Sequence, residues 1–105
     1  MNGIHVQRIR QSLPPMSTLR AFEAAVRLGT FKAAAEELGL TQSAISHQIK
    51  SLEAHFKTAL FARQGNQVVP TVDGTAYGTF VVRAFSDLSR AGEVLLSKEQ
   101  KELYV

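Results

Sequence analysis

The sequence contains no cysteine and no long run of apolar residues. Without cysteine the chain can form neither a disulfide framework nor a cysteine-based zinc site, and a reducing compartment is compatible with this composition. A membrane span needs about 18 consecutive apolar residues, and a secretory signal needs an apolar core near the N-terminus. Because the sequence has neither, we expect no membrane contact and a cytoplasmic location.

Histidine is scarce as well, with three residues in the whole chain: His5, His47 and His55. Ser46 and His47 are neighbours in sequence, so on a helix their side chains point about 100° apart, which is not the geometry of a nucleophile and its base. His47 and His55 are too far apart along a helix to share a metal ion. No glycine-rich phosphate loop or closely spaced His/carboxylate pattern appears. We therefore expect no enzyme activity, no cofactor and no metal.

Acidic residues are fewer than basic ones, with nine Asp and Glu against 12 Lys and Arg. The excess lies before Thr75, where eight basic residues oppose five acidic ones, whereas the rest of the chain is balanced. A chain of 105 residues with 45% hydrophobic residues is long enough for one small globular domain and an appendage. The charge favours a polyanionic partner for that domain, but by itself it is a weak argument.

Residues 30–56 have the pattern of two helices joined by a tight turn at residues 38–41. Gly39 suits the left-handed residue that ends the first helix, and Thr41 suits the cap of the second. The spacing of apolar residues gives each helix a face toward the core, formed by Phe31, Ala34, Ala35 and Leu38 on the first and by Ile45, Ile49, Leu52 and Phe56 on the second.

The opposite side of the second helix is polar. It carries Ser43, Ser46, His47 and Lys50, with Gln42 and Glu53 at its edge. A short helix, a turn with glycine and a second helix with such a face form the helix-turn-helix pattern, in which the second helix reads the DNA major groove.

The flanking segments complete a compact domain. Residues 1–12 have no sustained period, so we interpret them as a flexible extension, with Arg8 and Arg10 available to phosphates. Pro14 and Pro15 separate this extension from a helix over residues 17–28, for which Ser17 is the expected cap. After Phe56, short apolar runs flank a polar turn, which predicts a two-stranded ribbon with its tip at residues 63–67.

A long helix is predicted over residues 72–97, after a cap at Thr71. Its apolar residues repeat at the spacing of a coiled-coil seam and exceed what a small core can cover. We therefore expect the chain to form a homodimer through this seam, at Tyr77, Val81, Ala84, Leu88, Ala91 and Leu95. Residues 98–102 form a charged spacer, and residues 103–105 look like the opening of a strand, so residues 98–105 are interpreted as the truncated start of a following domain.

Several short motifs follow one another along the chain: Leu19-Arg20-Ala21-Phe22, Thr30-Phe31-Lys32-Ala33-Ala34-Ala35, Thr41-Gln42-Ser43-Ala44-Ile45-Ser46-His47-Gln48-Ile49-Lys50, Leu52-Glu53 and Leu60-Phe61. In their order and spacing they resemble the N-terminal DNA-binding region of the LysR-type transcriptional regulators, and the resemblance runs from about Leu13 to the end of the chain. The opening Leu13-Pro14-Pro15 is similar to the subgroup of the glycine-cleavage and β-lactamase activators.

This resemblance implies a mainly α fold: a winged helix-turn-helix over residues 13–71 with a small two-stranded wing, and a long C-terminal linker helix over residues 72–97 that pairs two subunits. It also implies a nucleoid-associated bacterial regulator of transcription that binds double-stranded DNA at an interrupted inverted repeat. Family members normally carry an effector domain after the linker helix, which would need roughly 200 further residues. We expect this domain to be absent here and no co-inducer to bind this chain.

Three residues depart from the family pattern. His47 stands where arginine is common, and Pro70 stands where leucine commonly precedes the threonine that caps the linker helix. Lys57 stands at a helix end where the family usually has glycine, so either the turn is strained or the helix is longer. The departures at Lys57 and Pro70 affect the expected wing geometry more than the fold.

The resemblance and side-chain chemistry together suggest a role for each polar residue. Gln42 can pair bidentately with adenine, and His47 can donate one hydrogen bond to guanine. Phosphate contacts fix the register without reading sequence. We expect base edges to be read by Gln42, Ser43, Ser46 and His47, and phosphates to be bound by Thr30, Lys32, Thr41, Lys50, Arg63 and Asn66.

One alternative function stays open at this point. Winged helices also serve as protein-binding modules, because a fold alone does not fix a function. The alternative is a dimerising module that sequesters a full-length regulator. Affinity for DNA that falls steeply with salt would favour the DNA-binding interpretation.

Overall fold

The computed structural model describes residues 3–103, and the side chains of residues 6–98. The fold is mainly α, with a two-stranded wing and a long C-terminal helix, as predicted. In chain order the elements are α1 (Gly3–Ser12), α2 (Met16–Leu28), α3 (Phe31–Leu38), α4 (Gln42–Phe56), β1 (Phe61–Gln64), β2 (Gln67–Pro70) and α5 (Val72–Leu103). Within residues 3–103, no helix has the length and apolarity that a bilayer crossing requires.

Helix α2 lies at the centre of the core and packs against α3, α4 and α5. Phe22 of α2, together with Ile45 and Leu52 of α4, is among the largest fully buried side chains. The ring of Phe22 contacts Phe61 at 5.8 Å and Tyr77 at 5.6 Å between centroids. The predicted core faces of α3 and α4 are therefore confirmed, and one aromatic cluster joins the helix-turn-helix, the wing and α5.

Glycine and threonine mark the helix ends where the sequence predicted them. Gly29 and Gly39 adopt left-handed conformations at the ends of α2 and α3. The hydroxyl oxygens of Thr30 and Thr41 accept hydrogen bonds from the third N–H of the helices they cap, at 3.0 Å. These short connections fix the angle between α3 and α4, which positions the second helix of the pair.

The predicted cap at Ser17 is wrong. Helix α2 begins at Met16 with Pro15 as its N-cap residue, and no side chain caps it. Pro15 has φ −54° and ψ 140°, so it lies just outside the helix, where a residue without an N–H leaves no donor unsatisfied. The Thr18 hydroxyl donates a hydrogen bond back to the Pro15 carbonyl at 2.7 Å.

The wing is an antiparallel pair in which Phe61 lies opposite Pro70 and Gln64 lies opposite Gln67. Its two-residue turn contains Gly65 with a positive φ of 61°. Before the wing, α4 ends at Phe56, and Lys57 adopts the left-handed conformation at φ 54°. Of the two alternatives for Lys57, the structure therefore has the strained turn, and the helix is not lengthened.

Two terminal segments differ from the sequence-based expectation. From Gly3 onward the expected irregular extension is helix α1, which is tied to α4 by a 2.7 Å hydrogen bond between His55 Nε2 and the Gln11 carbonyl. Helix α5 continues to Leu103. Residues 98–103 are thus helical rather than a spacer and a strand, because Lys, Glu, Gln and Leu are good helix formers. Residues 104 and 105 lie outside the described residues.

The residues of the predicted dimer seam on α5 fall into two groups, one packed on the core of the same chain and one exposed. Tyr77 and Val81 pack into the core of their own chain, and burial raises the pKa of the Tyr77 hydroxyl above its ordinary value. Helix α5 approaches closely at Gly74, where an added Cβ would lie 1.9 Å from the Leu60 carbonyl oxygen. Tyr77 and Val81 therefore contribute to the core of their own chain, and the pairing of the seam with a partner stays a prediction.

Candidate nucleic-acid interface

A cleft of about 660 Å³ opens where the start of α3, the start of α4 and the wing meet. Its walls carry seven of the ten side chains that the sequence predicts to contact DNA. They come from three separate segments of the chain and face one opening: Thr30, Lys32, Gln42, Ser43, Ser46, Arg63 and Asn66.

Two further observations place the remaining predicted residues. Lys50 lines an adjoining groove together with Ser46 and Arg63. Thr41, which caps α4, and His47, on α4, are both exposed but line neither cavity. The polar face of α4 therefore extends beyond the cleft.

The buried residues on one side of α4 determine which of its residues are exposed on the other side. Ile45 and Ile49 are at most 2% exposed, so the helix cannot rotate without exposing them. Ser43 consequently points away from the core, whereas Gln42 projects near the side of Ile49 and is exposed because it is the first residue of the helix. The N–H groups of a first helical turn have no partner within the helix, so this end of α4 also offers donors to an anion.

The wing is held to the helix-turn-helix by aromatic contacts and by one carboxylate. Phe61 packs edge-to-face against Phe31, with centroids 5.2 Å apart. Glu53 Oε2 accepts hydrogen bonds from the Leu60 N–H at 2.8 Å and the Phe61 N–H at 3.2 Å. These contacts fix the position of the wing relative to α4.

Sequence reasoning placed Glu53 at the edge of the reading face and missed this role. A carboxylate close to DNA repels phosphate, and that conflict was a signal that Glu53 has a partner within the protein. The sequence also missed Gln67 and Val68, which line the cleft beside Asn66. Their place in the polar turn and the strand after it was the available signal.

The cations at the cleft differ from the other basic residues nearby. Lys32, Lys50 and Arg63 are exposed, and within the described residues they form no ion pair. Arg27, by contrast, donates to Glu23 at 2.7 Å and also to Glu37. Hydrogen bonds to Glu23 and then Glu37 raise the pKa of Arg27, and the bond from Arg27 lowers the pKa of Glu37. Arg27 therefore joins α2 to α3, whereas the three exposed cations are available to a polyanion.

In the part of the chain that the structure describes, no three His, Asp or Glu side chains come together as a metal site would require. The features of the cleft are its polar side chains, its exposed cations and its open shape. These suit an extended, negatively charged ligand that presents hydrogen-bonding edges.

Comparison with known proteins agrees with this geometry. Residues 16–75 match the family described as bacterial regulatory helix-turn-helix protein, lysR family. The chain is 43% identical over 89 residues to the glycine cleavage system transcriptional activator of Escherichia coli K12, covering 85% of this chain and 29% of that protein. It is 42% identical over 76 residues to the transcriptional activator AmpR of Rhodobacter capsulatus, covering 72% and 26%. The chain thus spans less than a third of the length of these relatives.

Solved structures give the same result. The BenM_DBD/catB site 1 DNA complex matches with a TM-score of 0.69 and 26% identity, over 84% of this chain and 97% of that one. The CbnR_DBD–DNA complex matches with a TM-score of 0.67 and 26% identity, over 82% and 99%. From the family match, the relatives and the shared fold, this chain belongs to the LysR family of transcriptional regulators and contains its winged helix-turn-helix DNA-binding domain.

Proposed function

We propose that this chain binds double-stranded DNA sequence-specifically, as a homodimer, at an interrupted inverted repeat. Helix α4 enters the major groove, and the wing lies along the backbone or in the adjacent minor groove. The observation that carries the proposal is the single cleft, in which polar side chains from α3, α4 and the wing face one opening.

The base-reading role is assigned to the exposed face at the start of α4. Gln42 pairs with adenine, His47 donates to guanine, and Ser43 and Ser46 donate to or accept from either neighbouring base. These residues are near the helix N-terminus, the end that approaches base edges in helix-turn-helix proteins. The start of α4 therefore carries the sequence preference.

The phosphate-binding role is assigned to residues around that face. Thr30 and Lys32 lie at the start of α3, Thr41 caps α4, and Arg63 and Asn66 belong to the wing. Lys50 lies in the adjoining groove. Such contacts add affinity without sequence preference and are screened by salt.

The homodimer is assigned to the part of α5 that its own domain leaves uncovered. Phe80, Leu88 and Leu95 are each at least 67% exposed. Together with Ala84 and Ala91 they follow the four- and three-residue spacing of a helix–helix seam. We name these five residues the α5 stripe; it keeps four of the six residues that the sequence predicted and adds Phe80.

Selection of genomic fragments by the purified chain, followed by salt titration of the best fragment, tests the proposal. We expect an enriched inverted repeat and a logarithm of affinity that falls linearly with the logarithm of salt concentration. A matched fragment with scrambled half-sites separates specific from non-specific binding. Equal affinity for both fragments would contradict sequence-specific recognition. A protein that acts on the chromosome in this way is expected in the bacterial cytoplasm, associated with the nucleoid.

A further inference from the structure

A groove of about 190 Å³ lies between α4 and the wing. It adjoins the cleft, because Ser46, Arg63 and Val68 line both. Sites that hold a whole small molecule have volumes of roughly 300–1,000 Å³. The smaller volume of this groove therefore suits one group of a larger ligand that also occupies the cleft.

One face of the wing forms a wall of this groove. Arg63 and Val68 are directly opposite each other in the strand pairing, so their side chains lie on the same face. Phe61, two residues before Arg63, is on that face as well, and its ring packs against Phe31 of α3 with centroids 5.2 Å apart. This face of the wing is therefore turned toward the helix-turn-helix, and it presents Arg63 and Val68 to the groove.

The groove brings together two cations from separate elements. Lys50 of α4 and Arg63 of the wing both line it, both are exposed, and neither forms an ion pair within the described residues. Glu53 lines the groove too, but its Oε2 already accepts the N–H groups of Leu60 and Phe61. Two cations and one carboxylate leave the groove positive, and two like charges at one groove repel each other unless an anion joins them. The groove therefore suits an anionic group.

Apolar surface accompanies these charges. Val68 is an aliphatic residue that is 37% exposed, and it lies opposite Arg63 in the wing. A DNA strand offers the same combination, because each charged phosphate is joined to a deoxyribose with an apolar carbon surface, and proteins contact both groups. The side chains of the groove thus complement the sugar and the phosphate of one nucleotide.

We propose that this groove binds one deoxyribose–phosphate unit of a DNA strand, with Lys50 and Arg63 on the same phosphate and Val68 against the sugar. The inference rests on the DNA-binding function proposed above and makes it more specific. The two cations act as one site, and Val68, which was not among the predicted site residues, contributes to affinity. The backbone of that strand then passes between α4 and the wing, so both elements hold the same strand.

The salt dependence of DNA affinity tests whether the two cations share a phosphate. Each phosphate that a protein neutralises adds about 0.9 to the slope of the logarithm of affinity against the logarithm of salt concentration. The probe is a fluorescently labelled duplex that carries the selected repeat. We expect the double variant Lys50→Gln, Arg63→Gln to reduce this slope by about 0.9, the contribution of one phosphate. Each single variant leaves one cation on the phosphate and is expected to reduce the slope by less.

Lys32→Gln is the matched control, because Lys32 is an exposed cation that lines the cleft but not the groove. Removal of this one charge is expected to reduce the slope as much as removal of both charges of the groove. Far-UV circular dichroism verifies that the variants remain folded. A double variant that reduces the slope by about 1.8, as two separate phosphates would, overturns the inference. An unchanged slope in the double variant overturns it as well.

Val68→Ala tests the contact with the sugar. We expect binding of the same duplex to be about four-fold weaker, because burial of each apolar carbon group contributes about that factor. The slope with salt is expected to stay the same, since no charge is removed. Val69→Ala controls for a weakened wing, because Val69 is the next residue of β2 and does not line the groove. Equal losses of affinity in the two variants overturn the role of Val68.

The outcomes separate this inference from the function on which it rests. If the unaltered chain does not bind the duplex, or binds it with an affinity that salt does not change, the proposed function fails and the site in the groove fails with it. If the unaltered chain binds with a salt-dependent affinity and the double variant keeps the full slope or loses about 1.8 of it, only the inference about the groove fails.

Discussion

At the scale of single residues, the domain separates side chains that hold the fold from side chains that face a ligand. On α4, Ile45 and Ser43 lie on opposite sides of the helix, and the first is buried whereas the second lines the cleft. We therefore expect a change on the exposed side to affect binding with little effect on folding.

Gln42→Ala is therefore predicted to weaken binding to the selected operator and to relax the preference at one base position. A bidentate contact to adenine contributes about 1–3 kcal/mol of discrimination. Competition between operator variants that differ at each position measures this effect. Ser51→Ala, on the same helix at an exposed position outside the cleft, is the control. Equal losses on operator and random DNA would contradict direct readout by Gln42.

The ion pairs of Arg27 lead to a prediction about acid. Arg27 lowers the pKa of Glu37 by hydrogen bonding to its carboxylate. A group whose pKa is lower in the folded state stabilises the fold above its unfolded pKa, and this contribution is lost as pH falls through the folded pKa. We expect Glu37→Gln to reduce the free energy of unfolding at pH 7, with the difference from the unaltered chain shrinking in acid.

Glu36→Gln, exposed on the same helix, is the control. Urea unfolding at pH 7 and in acid measures the free energy of unfolding of both proteins. A difference between them that is the same at both pH values would contradict the prediction.

At the scale of elements, close packing of α5 on the domain depends on the absence of a side chain at Gly74. A Cβ there would fall on the Leu60 carbonyl, which belongs to the backbone and cannot turn aside. The N–H of Thr71, just before α5, donates to the same carbonyl at 3.0 Å. The start of α5 is thus fixed against the segment that leads into the wing.

Gly74→Ala is predicted to destabilise the chain by about 1–3 kcal/mol or more, because overpacking forces the backbone to shift. Gly92→Ala is the matched control, since nothing lies within 4 Å of its added Cβ. The control is expected to gain up to about 1 kcal/mol, because alanine favours helix over glycine. Urea unfolding at one fixed protein concentration compares the two. Similar effects of both substitutions would contradict the importance of this contact.

Most elements could be predicted from the sequence because their ends carry explicit local signals. Gly29, Thr30, Gly39 and Thr41 mark helix boundaries through backbone conformation and capping, which depend on neighbouring residues alone. Helix α1 has no capping residue or glycine of this kind at its start. Its hydrogen bond to the rest of the domain involves His55, which is far away in sequence. The continuation of α5 past Ser97 follows helix propensity rather than an apolar period.

The candidate site was less predictable where it depends on tertiary contacts. The apolar period of α5 does not show whether the core or a partner covers each residue, so the sequence did not predict that Tyr77 and Val81 pack in the core of their own chain. Glu53 was likewise placed by its angle on α4, while its hydrogen-bond partners Leu60 and Phe61 depend on how the wing folds back. The assignment of each residue to base or phosphate stays a prediction.

At the scale of the whole molecule, one aromatic cluster joins the wing beside the cleft to the start of the helix that carries the α5 stripe. Phe22 contacts both Phe61 of the wing and Tyr77 of α5. The separation of two half-sites on DNA is then expected to follow from how two copies pair through α5.

Leu88→Glu is predicted to shift the chain toward monomer and to weaken operator binding much more than binding of a single half-site. A charge in an apolar interface must be desolvated on association, and the identical residue of a second copy repels it. Ser86→Glu, on the opposite side of α5, is the control for added negative charge. Sedimentation equilibrium and binding to full and half operators measure the effect. Unaltered dimerisation would place the interface elsewhere.

The division of α4 into a buried side and an exposed side also bears on how such a protein changes over generations. The buried Ile45, Ile49 and Leu52 hold the helix in place, whereas Gln42, Ser43 and His47 are not part of the core. We expect replacement of the latter to alter which DNA sequence is preferred and to leave the scaffold intact. A few substitutions, each tolerated by the fold, would then be enough to give one domain a different preferred DNA sequence.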